Sequence, residues 1–269
     1  MEGKKIFVGM TCLIFVGILT LLGISNVEAQ KVLKVGMNAD SPPFGYMEKG
    51  QLVGMEIDLY TEVAKRMGAK IDITNLPFAG IFPGLQAEKW DVAGNIWIKK
   101  ERIVMMDFAD PWIRAILSFA VRKDSNIKSM ADLKGKIISV QAGSADHAWL
   151  EDNKGKLGPY EIKTYDRSVD QLNDLLGGRV HAVARDKTRL QFQIKDMPEI
   201  YVAFTAGNEF MQAAAFRKGD PFRNDFNKIQ NDMKRDRALA AIYKKWLGVD
   251  PGPEDPPLKI YTTPYEPLL

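Results

Sequence analysis

One cysteine in 269 residues, Cys12, and two histidines, His147 and His181, leave little room for thiol or metal chemistry. A lone thiol closes no disulfide within the chain, and no spacing such as H-E-x-x-H is present to hold a metal. A surplus of one charge sign is missing as well: 37 basic and 34 acidic residues give a net charge of +3, with the basic residues spread along the chain. Nucleic-acid binding is therefore not indicated. Only one long apolar run occurs, Ile6 to Ile24, which argues against a protein that crosses a membrane several times. No nucleophile-and-base pair, phosphate loop or cofactor motif stands out, so no cofactor is expected.

That single apolar run follows Lys4 and Lys5 and precedes Val27-Glu28-Ala29, whose small residues suit a signal peptidase. Residues 1–29 therefore read as a secretory signal peptide and place the remainder in the periplasm. A run of roughly nineteen residues could also just span a bilayer, which leaves an uncleaved anchor as the second reading. Cys12 lies in the middle of the run, away from any lipoprotein cleavage point. Cleavage removes the only cysteine, so roughly 240 residues must be held by their core alone.

The periodicity beyond Gln30 alternates strand and helix. Lys31 to Asn38 reads as a strand that ends in the rigid loop Ala39 to Phe44, and Gly54 opens a helix that Gly68 closes. A strand follows at Lys70 to Asn75, then a helix from about Ile81 to Ala87 and a strand from Trp90. This β-α-β-α-β order predicts a mainly parallel sheet, which takes ligands beyond the carboxyl ends of its strands. Ile113 to Val121 reads as a strand leaving that lobe, and a second such pattern begins there. It contains the strand Lys136 to Gln141, a helix after Gly143-Ser144, a capping box at Ser168–Gln171, the strand Val180 to Ala184 and a return strand from Phe210 to Phe216. Two amphipathic helices, Pro221 to Lys234 and Arg237 to Leu247, come before a proline-rich tail, which is expected to lie extended on the first lobe or to be partly disordered.

The stretch DVAGNIWIKKERIVMMDFADPW, Asp91 to Trp112, sets Arg102 between a strand and a crossover. On the residues alone Arg102 is either a surface partner of Glu101 or Asp107, or a cation aimed into a cleft. The stretch resembles the "D…T-x-x-R…x-D-F-S-x-P-Y" segment of the family 3 periplasmic solute-binding proteins, the amino-acid receptors of ABC importers. VQAGSADHAWL is similar to the family's "G-T-T/G" segment, and GGRVHAVARDKT to its "G-R-x-D-A-V-x-x-D" segment.

The resemblance implies two α/β lobes of the type II periplasmic-binding-protein fold, joined by two crossover hinge strands. Lobe 1 would comprise 30–115 and 210–250, lobe 2 would comprise 116–209, and 251–269 would be the tail. It implies a monomer that captures a small polar ligand, an amino acid or related carboxylate, and delivers it to a membrane permease. Arg102 would hold the ligand carboxylate, together with Ser144 and the backbone of Ala145, and Asp186 would pair with the ammonium. Phe78 would line the side-chain pocket, with Asn38, Asp40, Ser41 and Phe44 facing the same cleft. Three departures concern the ligand. Trp97 and Lys99 replace hydroxyl residues, His181 replaces an aspartate, and Ser41 replaces an aromatic lid. Lys99 would favour a ligand with a second anionic group, or one that is not an α-amino acid, or else points to solvent. Two other readings stay open on the same fold. One is an enzyme similar to cyclohexadienyl dehydratase, with Asp40, Asp146 or Asp186 as general acid or base. The other is a sensor that presents the pocket to a membrane partner.

Overall fold

The structure is a computed structural model that describes residues 31–262. The expected signal peptide over 1–29 and the end of the tail, 263–269, lie outside the described residues. In chain order the strands are β1 (Val32–Met37), β2 (Tyr46–Glu48), β3 (Gln51–Val53), β4 (Lys70–Asn75), β5 (Val92–Trp97), β6 (Met106–Phe108), β7 (Ile113–Arg122), β8 (Ile137–Gln141), β9 (Glu161–Tyr165), β10 (Ala182–Asp186) and β11 (Ile200–Arg217). The helices are α1 (Met55–Arg66), α2 (Ile81–Gln86), α3 (Lys100–Ile103), α4 (Ala145–Leu157), α5 (Ser168–Leu176), α6 (Lys187–Gln193), α7 (Phe222–Arg235) and α8 (Ala238–Leu247).

Eight strands form one path in the order β4-β1-β5-β11-β7-β10-β8-β9, with β6 added on β11 and a separate β2-β3 hairpin. The path is parallel at both ends and antiparallel in the middle. β1 pairs in parallel with β4 and β5, and β8 pairs in parallel with β9 and β10. The long strand β11 runs antiparallel to β5 on one side and β7 on the other, so two crossing strands join two α/β halves. This is the two-lobed fold that the alternating pattern predicted.

Local sequence explains the elements. β1 buries Leu33, Val35 and Met37 and exposes Val32 and Lys34, as a strand of period two must. In α1 the buried positions Met55, Leu59, Tyr60 and Val63 recur at helical spacing. Glu56 and Asp58 sit in its first turn and Lys65 and Arg66 in its last, matching the helix dipole. Phe226 and Met233 of α7 and Leu239 of α8 close the same core over β1 and β5. A second core gathers Phe119, Ile138, Val140 and Leu150 around β7, β8 and α4.

One close approach fixes how α2 sits on the sheet. A Cβ on Gly36 of β1 would lie 2.3 Å from the Trp90 ring, and one on Gly84 of α2 would lie 2.0 Å from it. The buried indole therefore occupies the space that two missing side chains leave.

Two expectations change, and the tail's contacts become specific. The return strand is eighteen residues long and begins at Ile200, well before Phe210. Gly207 and Asn208 interrupt the alternation without ending the strand, because a register shift between Ala206 and Glu209 absorbs them as a bulge, with Gly207 at φ 74°. Ser168 is the first residue of α5 and does not cap it. Its hydroxyl donates to the Asp40 carbonyl at 2.9 Å, and its N–H donates to the Asp40 carboxylate at 3.0 Å. The described part of the tail is tied down: Arg114 pairs with Asp255 at 3.1 Å and donates to the Glu254 carbonyl at 2.9 Å. Lys234 of α7 donates from Nζ to the carbonyls of Pro111 and Lys259, both at 2.8 Å, beneath the ring of Tyr261.

Candidate functional site

The carboxyl ends of the parallel strands β1, β5, β8 and β10 lead into Asn38, Trp97, Gln141 and the Arg185-Asp186 pair. Around them lies a narrow cavity. This is where an open α/β sheet exposes its loops to a ligand. Asn38, Ser41, Glu56, Phe78, Gly94, Trp97 and Arg102 line it from the elements around β1 and β5. Gln141, Ser144, Ala145, Asp146, Arg185 and Arg189 line it from those around β8 and β10.

Arg102 sits on α3, one turn after β5. Its Nη1 donates to the Trp97 carbonyl at 3.1 Å, and its guanidinium lies 5.9 Å from the Phe78 ring centre and 5.2 Å from that of Phe82. Phe78 and Phe82 meet edge to face, 5.5 Å apart. Among the described residues no carboxylate comes within ion-pair distance of Arg102, and burial lowers its pKa to about 10. A guanidinium held by one carbonyl and two aromatic faces retains donors for a planar anion. Lys99 instead donates to the Ala145 carbonyl at 3.3 Å and lies over the Phe210 ring. Burial first, and then repulsion from Arg102, lowers its pKa.

Trp97 stacks on Phe210 at 5.0 Å and forms a flat wall. Asn38 is held by the Leu76 carbonyl and accepts from Gln141 at 3.0 Å, which links the two halves of the sheet across the cavity. Ser144 is the N-cap of α4 and accepts from the His147 N–H at 3.0 Å, leaving the earlier N–H groups of that helix at the cavity edge. Asp40 and Lys99 are not among the lining residues, and Asp40 is engaged by Ser168. Phe44 is fully buried under the Arg189 guanidinium, which lies 4.1 Å from its ring centre.

Asp186 is buried behind the cavity wall. It accepts from the N–H of Ile116 at 3.2 Å and that of Arg189 at 3.1 Å, and pairs with the Arg189 side chain at 3.5 Å. Burial raises its pKa, although Arg189 opposes the shift. Besides Glu56, the carboxylate that lines the cavity is Asp146, in the first turn of α4. It is 7% exposed, and its Oδ1 has no hydrogen-bond partner. Burial, followed by repulsion from Asp186, pushes its pKa up to about 6.

Sequence reasoning named Asp146 only for the enzyme reading, and it missed Glu56, Gln141, Arg185 and Arg189 as lining residues. Two of these had a local signal. Arg185 is a charge that follows the apolar strand residues Ala182, Val183 and Ala184, and Arg189 lies three residues past Asp186, where a helix brings the pair together. Among the described residues no group of acidic, histidine or cysteine side chains is arranged to hold a metal.

Comparison with known proteins identifies the family. The chain is 31% identical over 232 residues to the L-cystine-binding protein TcyA of Bacillus subtilis (strain 168), covering 84% of this chain and 85% of that protein. Among solved structures, an ancestral arginine-binding protein bound to arginine matches with a TM-score of 0.77 and 34% identity, over 81% of this chain and 99% of that one. The ancestral amino acid-binding protein AncCDT-1, a precursor of cyclohexadienyl dehydratase, matches with a TM-score of 0.74 and 30% identity, over 80% and 95%. Residues 33–249 match the family model, and the chain belongs to the bacterial extracellular solute-binding proteins, family 3.

Proposed function

We propose that this protein captures a free amino acid in the cavity between its two halves, outside the cytoplasmic membrane, and delivers it to the permease of an ABC importer. The carrying observation is Arg102: a half-buried guanidinium at the cavity, oriented by Trp97, Phe78 and Phe82, with no carboxylate within ion-pair reach among the described residues. A ligand α-carboxylate supplies that partner, and the N–H groups at the start of α4 beside Ser144 and Ala145 share it from the other half. The ligand ammonium meets Asp146, whose Oδ1 faces the same space unpaired. Asp186 holds Arg189 in place behind it. A closed form filled in this way pairs the charges of Arg102 and Asp146 with those of the ligand.

The cystine for which the B. subtilis relative is named and the arginine bound by the ancestral protein support an amino acid as the ligand class. One observation favours a second reading. A buried carboxyl with a pKa near 6 is what a general acid needs, and one structural neighbour is a dehydratase precursor. Calorimetry of the purified protein, freed of copurified ligand, against the common amino acids and a prephenate-like substrate separates the two. Saturable binding of an amino acid without turnover supports the receptor. Turnover lost in Asp146→Asn would replace that reading with the enzyme.

A further inference from the structure

Two guanidiniums, Arg185 of β10 and Arg189 of α6, converge on one neutral acceptor. Arg185 donates from Nη2 to the Ser41 hydroxyl at 3.0 Å, and Arg189 donates from Nε to the same oxygen at 2.7 Å. Arg189 has further support in Asp186, Gln212 and the Phe44 ring. Arg185 does not: it is 3% exposed, lines the cavity, and its Nε and Nη1 have no hydrogen-bond partner. Leaving two donors of a buried cation unmet beside a second cation is costly, and an anion in the cavity removes the cost.

Resting on the amino-acid reading above, we infer that Arg185 is the docking group for a second carboxylate, so that the ligand is an acidic amino acid. Arg102 takes its α-carboxylate, Asp146 its ammonium and Arg185 its side-chain carboxylate. Ser41 is what makes room. Its small side chain brings only a hydroxyl to the guanidiniums, where an aromatic residue would fill the space next to them. The same pair of guanidiniums opposes a cationic side chain.

The test is calorimetric titration of the ligand-free protein with L-glutamate, L-aspartate, their amides L-glutamine and L-asparagine, L-arginine and L-cystine. The better acidic amino acid is expected to bind about ten- to a hundredfold more tightly than its amide, the range set by a hydrogen bond to a charged group. In Arg185→Gln that preference collapses, the acidic amino acid losing more affinity than its amide. Arg185→Lys keeps a cation but loses the fork, and is expected to retain part of the preference, which guards against a Gln variant that misfolds. Tighter binding of an amide, L-arginine or L-cystine than of either acidic amino acid would overturn the inference while leaving the binding function intact. An acidic preference that survives in both variants would overturn the assignment to Arg185. No binding of any probe would overturn both.

Discussion

Two cations that the fold shields from water have opposite tasks. Lys234 is 2% exposed at the seam between α7 and the tail, and its ammonium is met by two backbone carbonyls and an aromatic face from Tyr261. Arg102 at the cavity also has two aromatic faces but only one carbonyl. The first site is nearly complete within the chain, and burial still lowers the Lys234 pKa to about 7. The second is complete only with a guest. A buried cation that the fold satisfies serves stability, and one that it leaves short serves binding. The difference lies in the number of acceptors within reach, since both are desolvated.

Removing each cation separates the two tasks. Arg102→Ala is expected to lower ligand affinity by about two to three orders of magnitude, because a buried ligand carboxylate loses its partner, at little cost in melting temperature. Unchanged affinity by calorimetry would remove Arg102 from the site. Lys234→Ala is expected to do the reverse. It leaves the carbonyls of Pro111 and Lys259 without that donor and costs roughly 2–4 kcal/mol in denaturant unfolding, with ligand affinity retained. A variant as stable as the parent would mean that the tail is not held there.

The pH dependence sharpens the contrast. The folded pKa of Lys234 lies below its unfolded value, so between about pH 7 and 10 the unfolded chain binds the extra proton, and stability from this group rises with pH across that window. Urea midpoints at pH 7 and 9 should differ less in Lys234→Met than in the parent protein. An equal difference would show that other groups carry it. Asp146 titrates on the cavity side. Its folded pKa near 6 lies above the unfolded value, so it costs stability as pH rises from about 4 to 6. A ligand ammonium needs the ionised carboxylate, so affinity should fall by up to about tenfold between pH 6 and 5. Asp146→Asn should bind more weakly at pH 7 and lose that slope, and a slope that persists would move the ammonium elsewhere.

Much of the scaffold was legible because its signals are local. β1 alternates cleanly, α1 has its charges at the correct ends, and Arg102 stands where a strand runs out. The return strand was cut short because Gly207 and Asn208 look like a turn when only the neighbouring residues are read, and a bulge needs a partner strand to be recognised. The cavity was legible in part. Arg102, Phe78, Trp97, Asn38, Ser144 and Ala145 all line it, each lying at an element end. Asp146 and Arg185 emerge only when α4 and β10 are brought side by side. Asp186 also lies at an element end but is not among the lining residues, its oxygens being engaged by the cap of α6 and by Arg189. The β2-β3 hairpin and β9 were not anticipated, being short or largely exposed and so carrying little hydrophobic signal.

The indole of Trp90 carries a consequence for how this sequence can change over time. Because Gly36 and Gly84 both lie against it, a single substitution at either glycine collides with the ring, and loss of the ring alone leaves a void between β1 and α2. No one-step route leads from this arrangement to another of equal fitness. The three positions are coupled: among descendants of this chain they should be inherited together or replaced together, with a smaller residue at 90 arriving alongside larger ones at 36 or 84.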